Sequence, residues 1–192
     1  MTRRCLTPPA GAAADAATRN AATLPAFETE RLVLRAPRLS DFPVWNDLLA
    51  QDEKGHLGGP FTEEETWESF CVYTAGWLLH GHGLWTVVLR DTGRVAGFVH
   101  VGLEWDDAEP ELGWLFLPEY RGQGFATEAA TAARDHGLAL LGDGALVSYV
   151  APDNVASDRL ASRLGARRDD AAAAALLNQY GQISVWRHGD TA

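Results

Sequence analysis

The sequence predicts an α/β domain built on one mixed, mostly antiparallel sheet of about six to seven strands, with helices on both faces. Two observations carry this expectation. Three β-rich runs follow one another between residues 84 and 117 ("LWTVVL", "RVAGFVHVG" and "ELGWLFL"), and Asp91-Thr92-Gly93 supplies a hairpin turn between the first two. A helix–strand–helix series then fills residues 124–164. A meander followed by such a series lacks the strict strand–helix alternation of a doubly wound fold.

The chain has 192 residues, of which 46% are hydrophobic and 22% charged, the size and balance of one globular domain. Residues 1–26 are rich in Ala, Thr and Pro and lack apolar periodicity, so they read as a mobile tail. Three arginines against one acid also admit a transit peptide there. Residues 27–192 read as a single domain.

Within that domain, Leu32 and Leu34 alternate with Arg31 and Arg35, the period of a strand with one buried face. Ser40 is an N-cap candidate for a helix buried through Phe42, Trp45, Leu48 and Leu49. Thr62 and Glu65 form a capping box, and Glu63, Glu64 and Glu65 favour the dipole of the helix that follows. Trp67, Phe70, Thr74, Trp77 and Leu78 continue that helix at helical spacing. Residues 124–141 predict a helix, 145–150 a strand, and 154–164 a helix ending at Gly165. Ala171–Ala175 breaks any strand pattern, and only "ISVWRH" at 183–188 looks extended.

Net charge is −10, and the first 26 residues contribute +2, so the rest carries −12. An acidic body excludes nucleic-acid binding through phosphates, which needs a basic face, and suits a cationic partner. No apolar run approaches the roughly 18 residues of a membrane span, so a soluble, cytoplasmic protein without a membrane partner is expected. Cys5 and Cys71 form neither a disulfide framework nor a paired metal motif. His80 and His82 stand without a metal-site context, so no metal is expected.

The chemistry concentrates in "PEYRGQGFATEAA", residues 118–130. Gly122 and Gly124 stand between a predicted strand and a predicted helix, where free N–H groups and the helix dipole favour an anion. Ala126, Ala129, Ala130 and Ala133 let the helix approach the sheet closely. The local reading is a phosphate or pyrophosphate cradle. No lysine follows for a Walker A loop, and Gly122-Gln123-Gly124-Phe125-Ala126-Thr127 ends in threonine where a dinucleotide fingerprint needs glycine or alanine.

Arg121-Gly122-Gln123-Gly124-Phe125-Ala126 matches R/Q-x-x-G-x-G/A and resembles the pyrophosphate loop of the GNAT superfamily of N-acetyltransferases. The resemblance runs over about residues 27–188. "FETERLVLRAPRLSDFPVWNDLL" is similar to the opening of the RimJ/RimL-like branch, "ELGWLFLPEYRGQGFATEA" to its central motif, and "APDNVASDRLASRLGA" to the strand–helix that follows.

The resemblance implies a GNAT fold with a V-splayed sheet, and acetyl transfer from acetyl-CoA to a primary amine by direct attack. The backbone of 111–117, including Leu115, Phe116 and Leu117, would hold the pantetheine arm, and Gly113 would mark a bulge that splays the strand. Arg121, Gly122, Gln123, Gly124, Phe125, Ala126 and Thr127 would hold the pyrophosphate. Asn154 and Ser157 would meet pantetheine or the sulfur, with Ser157 as a proton donor. Some members carry a tyrosine acid where this chain has Ala161. An alkylamine must lose a proton before attack, and Glu111 is the first candidate base, with Glu109 and Glu104 as alternatives.

The acceptor is expected to be a peptide N-terminus or a small cationic amine, met by the acidic stretch "EWDDAEPE" at 104–111 and by an apolar wall from Trp67, Trp77, Trp105 and Trp114. A homodimer is compatible with the family. The alternative is a non-catalytic acyl-CoA-binding or regulatory module with the same fold.

Overall fold

Leu32 and Leu34 are fully buried while Val33 and Arg35 are half-buried, as the alternation predicts. They belong to an eight-stranded sheet in a computed structural model that describes residues 3–52 and 56–189. In chain order the elements are α1 (Ala12–Ala21), β1 (Phe27–Glu28), β2 (Leu32–Arg35), α2 (Phe42–Ala50), α3 (Glu63–Leu79), β3 (Leu84–Leu89), β4 (Val95–Gly102) and β5 (Glu111–Phe116). They continue with α4 (Phe125–Leu141), β6 (Leu146–Val150), α5 (Val155–Arg163), β7 (Arg167–Arg168), α6 (Asp170–Tyr180) and β8 (Ser184–His188). The strand order is β1-β2-β3-β4-β5-β6-β8-β7, and every pairing is antiparallel except β5 with β6. The count exceeds the expected six to seven because β1 and β7 are two-residue strands.

Helices cover both faces. Val99 and Val101 face α4, whose Ala129, Ala130 and Ala133 are fully buried; these small side chains let helix and sheet close together. Phe98 faces the other way, onto Phe42, Trp45 and Phe70 of α2 and α3. The Thr62–Glu65 capping box forms, with Glu65 accepting from the Thr62 N–H at 2.8 Å and Thr62 Oγ1 accepting from the Glu65 N–H at 3.3 Å. Such caps contribute about 1 kcal/mol.

Several expectations change. Ser40 lies in a 3-10 turn at Leu39–Asp41 and does not cap α2. Leu78 points outward and is 88% exposed, because α3 turns its Phe70 and Trp77 face to the core. Ala171–Ala175 belongs to α6, which Asp169 caps by accepting from the Ala172 N–H at 2.9 Å. Alanine is the strongest helix former, so the segment that breaks a strand pattern makes a helix. Residues 3–26 hold a 3-10 turn at Arg4–Leu6 and helix α1, and no residue of either is buried. Leu24 packs on the main core, and the Trp85 indole donates to the Pro25 carbonyl at 2.9 Å.

The parallel pairing of β5 with β6 rests on the single register pair Glu111↔Val147. Ser148 Oγ donates to the Leu112 carbonyl at 2.6 Å, which closes that corner. With its proton so used, Ser148 Oγ accepts from His188 Nε2 at 2.9 Å, which places the imidazole proton on Nε2. His188 is fully buried, and burial first, with the Arg134 charge second, pushes its pKa down to about 4. A neutral buried histidine stabilises the fold fully above its unfolded pKa near 6.5, and that contribution disappears as pH falls toward 4. Thermal unfolding should therefore show a melting temperature that drops between pH 6.5 and 4. In His188→Gln, which keeps an N–H donor but cannot titrate, that part of the drop should be absent.

Candidate active site

Beyond Glu111↔Val147 the two central strands separate, and a cleft of about 930 Å³ opens along them. Leu115 and Phe116 of β5, the glycine loop, and Asn154, Ala156, Ser157, Leu160 and Arg163 around α5 form its sides. A second chamber of about 430 Å³ adjoins it on the α3 side. The two cavities share Trp114, Leu115, Asn154, Ser157, His56 and Leu57, so one body of space runs from the glycine loop to the acidic stretch.

The glycine loop has the backbone that its sequence requires. Gly122 and Gly124 adopt φ of +73° and +83°, values that side-chain-bearing residues rarely take. A Cβ on Gly122 would meet no atom within 4 Å, because that side of the loop is open. The Glu128 N–H bonds to the Gly124 carbonyl at 3.0 Å, so the N–H groups of Phe125, Ala126 and Thr127 precede the first intrahelical donor and have no acceptor within the helix. Arg121, Gly122, Gly124, Ala126 and Thr127 line the cleft. Gln123 and Phe125 do not: Gln123 Nε2 donates to the Glu119 carbonyl at 2.6 Å, and Phe125 packs into the core against Tyr120. These residues fit a diphosphate held by backbone amides, with Arg121 and Arg163 as cations on the cleft wall. Arg121 Nε is already donated to the Phe116 carbonyl at 2.8 Å, which fixes its direction. Leu117 turns away, its N–H bonded to the Ala96 carbonyl at 3.0 Å.

A residue absent from the sequence reading of the loop braces it. Arg31, between β1 and β2, donates from Nη1 to the Gln123 carbonyl at 2.9 Å and from Nε to Glu128 Oε2 at 2.7 Å. Its guanidinium sits 4.5 Å over the Phe125 ring. Burial opposes ionisation of Glu128, but hydrogen bonds from Thr29 and Arg31 hold its carboxyl below the ordinary value. No local pattern signals a pair separated by 97 residues.

Asn154 caps α5, accepting from the Ser157 N–H at 3.1 Å. Ser157 Oγ accepts from the Trp114 indole at 3.2 Å, which leaves its own proton available. Ala161 is fully buried against Val150, Ala166 and Trp186, so position 161 faces the core rather than the cleft.

The three candidate bases separate clearly. Glu109 is held by Arg187, with Oε2 at 2.7 Å and Oε1 at 2.9 Å, and this bidentate pair removes it from the chamber. Glu104 lines the chamber and accepts from the Tyr73 hydroxyl. Glu111 sits at the apex where β5 and β6 part. Its Oε1 lies 3.4 Å from the Tyr149 N–H and its Oε2 lies 3.8 Å from His100 Nε2. Gly113 serves this arrangement differently from expectation. The β4–β5 register runs through it without a bulge, and a Cβ there would lie 2.1 Å from the His100 ring. The glycine makes room for the histidine.

Of the expected apolar wall, Trp105 and Trp114 line the chamber. Trp77 is buried in the core with its indole bonded to the Leu84 carbonyl, and Trp67 packs on Phe42. Beside Asp107 of the acidic stretch, Tyr149 and Tyr180 also line the chamber, and these two were not singled out by sequence. Among the described residues no group of His, Cys, Asp and Glu is placed to hold a metal, and no helix is long and apolar enough to cross a membrane.

Comparison with known proteins accords with this geometry. The family model "Acetyltransferase (GNAT) domain" matches residues 31–167. The chain belongs to the GNAT acetyltransferase family. A crystal structure of an acetyltransferase from Agrobacterium tumefaciens str. C58 is 35% identical, with a TM-score of 0.80 over 88% of this chain and 96% of that one. An uncharacterized N-acetyltransferase, YnaD of Bacillus subtilis, is 27% identical over 143 residues, 73% of this chain and 82% of its own. The ribosomal L7/L12 α-N-protein acetyltransferase RimL, solved with coenzyme A, shares the fold at 17% identity and a TM-score of 0.66, over 86% of this chain and 98% of its own.

Asp107 allows a test of the chamber's electrostatics. Burial pushes its carboxyl up to about 6, the Glu104 N–H opposes this, and the Glu111 and Glu104 carboxylates add to the rise. A raised carboxyl costs the folded state stability as pH climbs from about 4 to 6, and the cost persists above that range. Asp107→Asn should therefore melt at a higher temperature than the parent at pH 7. The gain should vanish at pH 4, as measured by calorimetry across that range.

Proposed function

We propose that this GNAT protein transfers the acetyl group of acetyl-CoA to a primary amine in a ternary complex, and that it belongs to the RimJ/RimL-like branch. The observation that carries the reading is the continuous space between a backbone-lined glycine loop and a carboxylate at the strand split. The cleft suits a long anionic thioester, and RimL, which shares the fold, binds coenzyme A.

In this reading the diphosphate lies on the amides at Gly122–Thr127, and the pantetheine arm follows β5 past Leu115 toward Trp114. The acceptor nitrogen enters from the acidic chamber. Glu111 takes a proton from the ammonium, and the freed amine attacks the thioester carbonyl carbon. The C–N bond forms as the C–S bond breaks; the Ser157 hydroxyl passes its proton to the departing sulfur while the acylated nitrogen sheds its second proton to the Ser157 oxygen, so Ser157 ends protonated as it began. No acyl-enzyme is needed. Trp114 orients Ser157 through its indole N–H, and Asn154 orients the start of α5. The acceptor is a protein N-terminus or a small cationic amine.

A thermal-shift titration tests the cofactor half. Acetyl-CoA at about 100 times its dissociation constant adds about 2.7 kcal/mol, which for this size raises the melting temperature by roughly 5–10 °C, whereas NAD and ATP should give no shift. Glu111→Gln tests the chemical half. It should keep the acetyl-CoA shift and lose at least 100-fold in kcat, in line with the usual contribution of general base catalysis. Undiminished turnover in Glu111→Gln would remove Glu111 from the mechanism. An acetyl-CoA shift with no turnover on any amine would favour an acyl-CoA-binding module.

A further inference from the structure

Glu104, Asp106, Asp107 and Glu111 all line the chamber, and among the described residues that line it there is no lysine or arginine. Four carboxylates around about 430 Å³ repel one another, and the rise of Asp107 to about 6 reflects burial first and then its neighbours Glu111 and Glu104. Tyr73, Tyr149 and Tyr180 line the same space and direct their hydroxyls at polar groups. Tyr73 donates to Glu104, and Tyr180 donates to Asp107 Oδ1 at 3.4 Å. Tyr149 and Tyr180 stack at 5.9 Å, and Trp105, 98% exposed, stands at the rim. Carboxylates interleaved with aromatic faces form a surface for organic cations.

A separate observation points to an occupant. His100 is 7% exposed, its ring lies 4.5 Å from that of Tyr73, and its Nε2 has no hydrogen-bond partner among the described residues. Leaving a buried polar atom unpaired is costly, and native proteins rarely do so without a reason. The nearest acidic oxygen, Glu111 Oε2, lies 3.8 Å away, beyond hydrogen-bonding range. An ammonium carries three donors and can satisfy both His100 Nε2, in the tautomer with its proton on Nδ1, and Glu111 Oε2.

One ammonium at Glu111 leaves the carboxylates at 104–107 without a lysine or arginine among the described lining residues. We propose that the chamber receives a compact aliphatic diamine, whose reacting amine meets Glu111 and His100 and whose second ammonium is held by Asp107 and Glu104. The inference rests on the acetyltransferase reading and deepens it by assigning the acceptor class. It sets a peptide N-terminus apart, since that brings a single positive charge to a chamber lined by four acids.

Initial rates with the full chain and acetyl-CoA decide it, using 1,5-diaminopentane, 1-aminopentane and a lysine-free peptide with a free N-terminus. The diamine should exceed the monoamine at least tenfold in kcat/KM, and 0.5 M NaCl should shrink that ratio by screening. Asp107→Asn and Glu104→Gln, separately and together, should bring the ratio toward one through the KM for the diamine. Calorimetric titration of 1,5-diaminopentane into the CoA-saturated protein should show the same order without turnover. Equal or better use of the monoamine or the peptide overturns the inference, as does a ratio that survives the double variant. An acetyl-CoA thermal shift with none of the three amines acetylated also overturns it and leaves the cofactor cleft standing. Absence of that shift overturns the acetyltransferase reading itself, and this inference with it.

Discussion

The parallel contact between β5 and β6 is made at one register pair, and the site exists because the strands then part. Two adjacent parallel strands normally continue their ladder and leave no room between them. Here Ser148 spends its hydroxyl proton on the Leu112 carbonyl and is itself held by His188, so the corner is pinned by side chains that are fully or almost fully buried. From that corner the cleft opens toward the glycine loop. Glu111, in the last paired position, is fixed at the vertex by the backbone rather than by a long flexible arm.

The divergence also sorts charge. Toward the glycine loop the walls carry Arg121, Arg163 and the amides that open α4, while the two acids there are engaged, Glu128 by Arg31 and Asp52 by the N–H groups of His56, Leu57 and Gly59. Toward α3 they carry carboxylates, with no lysine or arginine among the described residues that line that side. The excess of −12 in residues 27–192 is therefore partly concentrated in one chamber rather than spread as a solubilising coat. An anionic donor and a cationic acceptor would each find the compatible end of one continuous space.

Long-range clamps keep the two ends in register. Arg31 ties the β1–β2 connection to the loop carbonyl at Gln123 and to Glu128 on α4, and Arg187 ties β8 to Glu109 and Asp169. Each guanidinium reaches more than one acceptor, which lets it fix direction as well as distance. The Arg187 pair explains why only part of the acidic stretch faces the chamber: Glu109 is drawn away, while Glu104, Asp106, Asp107 and Glu111 remain.

The sequence by itself determined the parts governed by neighbours in the chain. These include the β3–β4 hairpin at Asp91-Thr92-Gly93, the Thr62–Glu65 cap of α3, the alanine face of α4, and the two left-handed glycines of the loop, since turn chemistry and periodicity are local. Helix α6 is equally local, with Asp169 as its cap, Gly181 after its end and a run of alanines that favours helix over strand. Tertiary structure alone decided which acid stands at the vertex, which tryptophans line the chamber, and why residue 113 is glycine. Glu104, Glu109 and Glu111 are chemically alike along the chain. The pairing of Arg187 with Glu109 across 78 residues, the Tyr73 hydroxyl on Glu104, and the packing of the His100 ring against Gly113 from the neighbouring strand make them different.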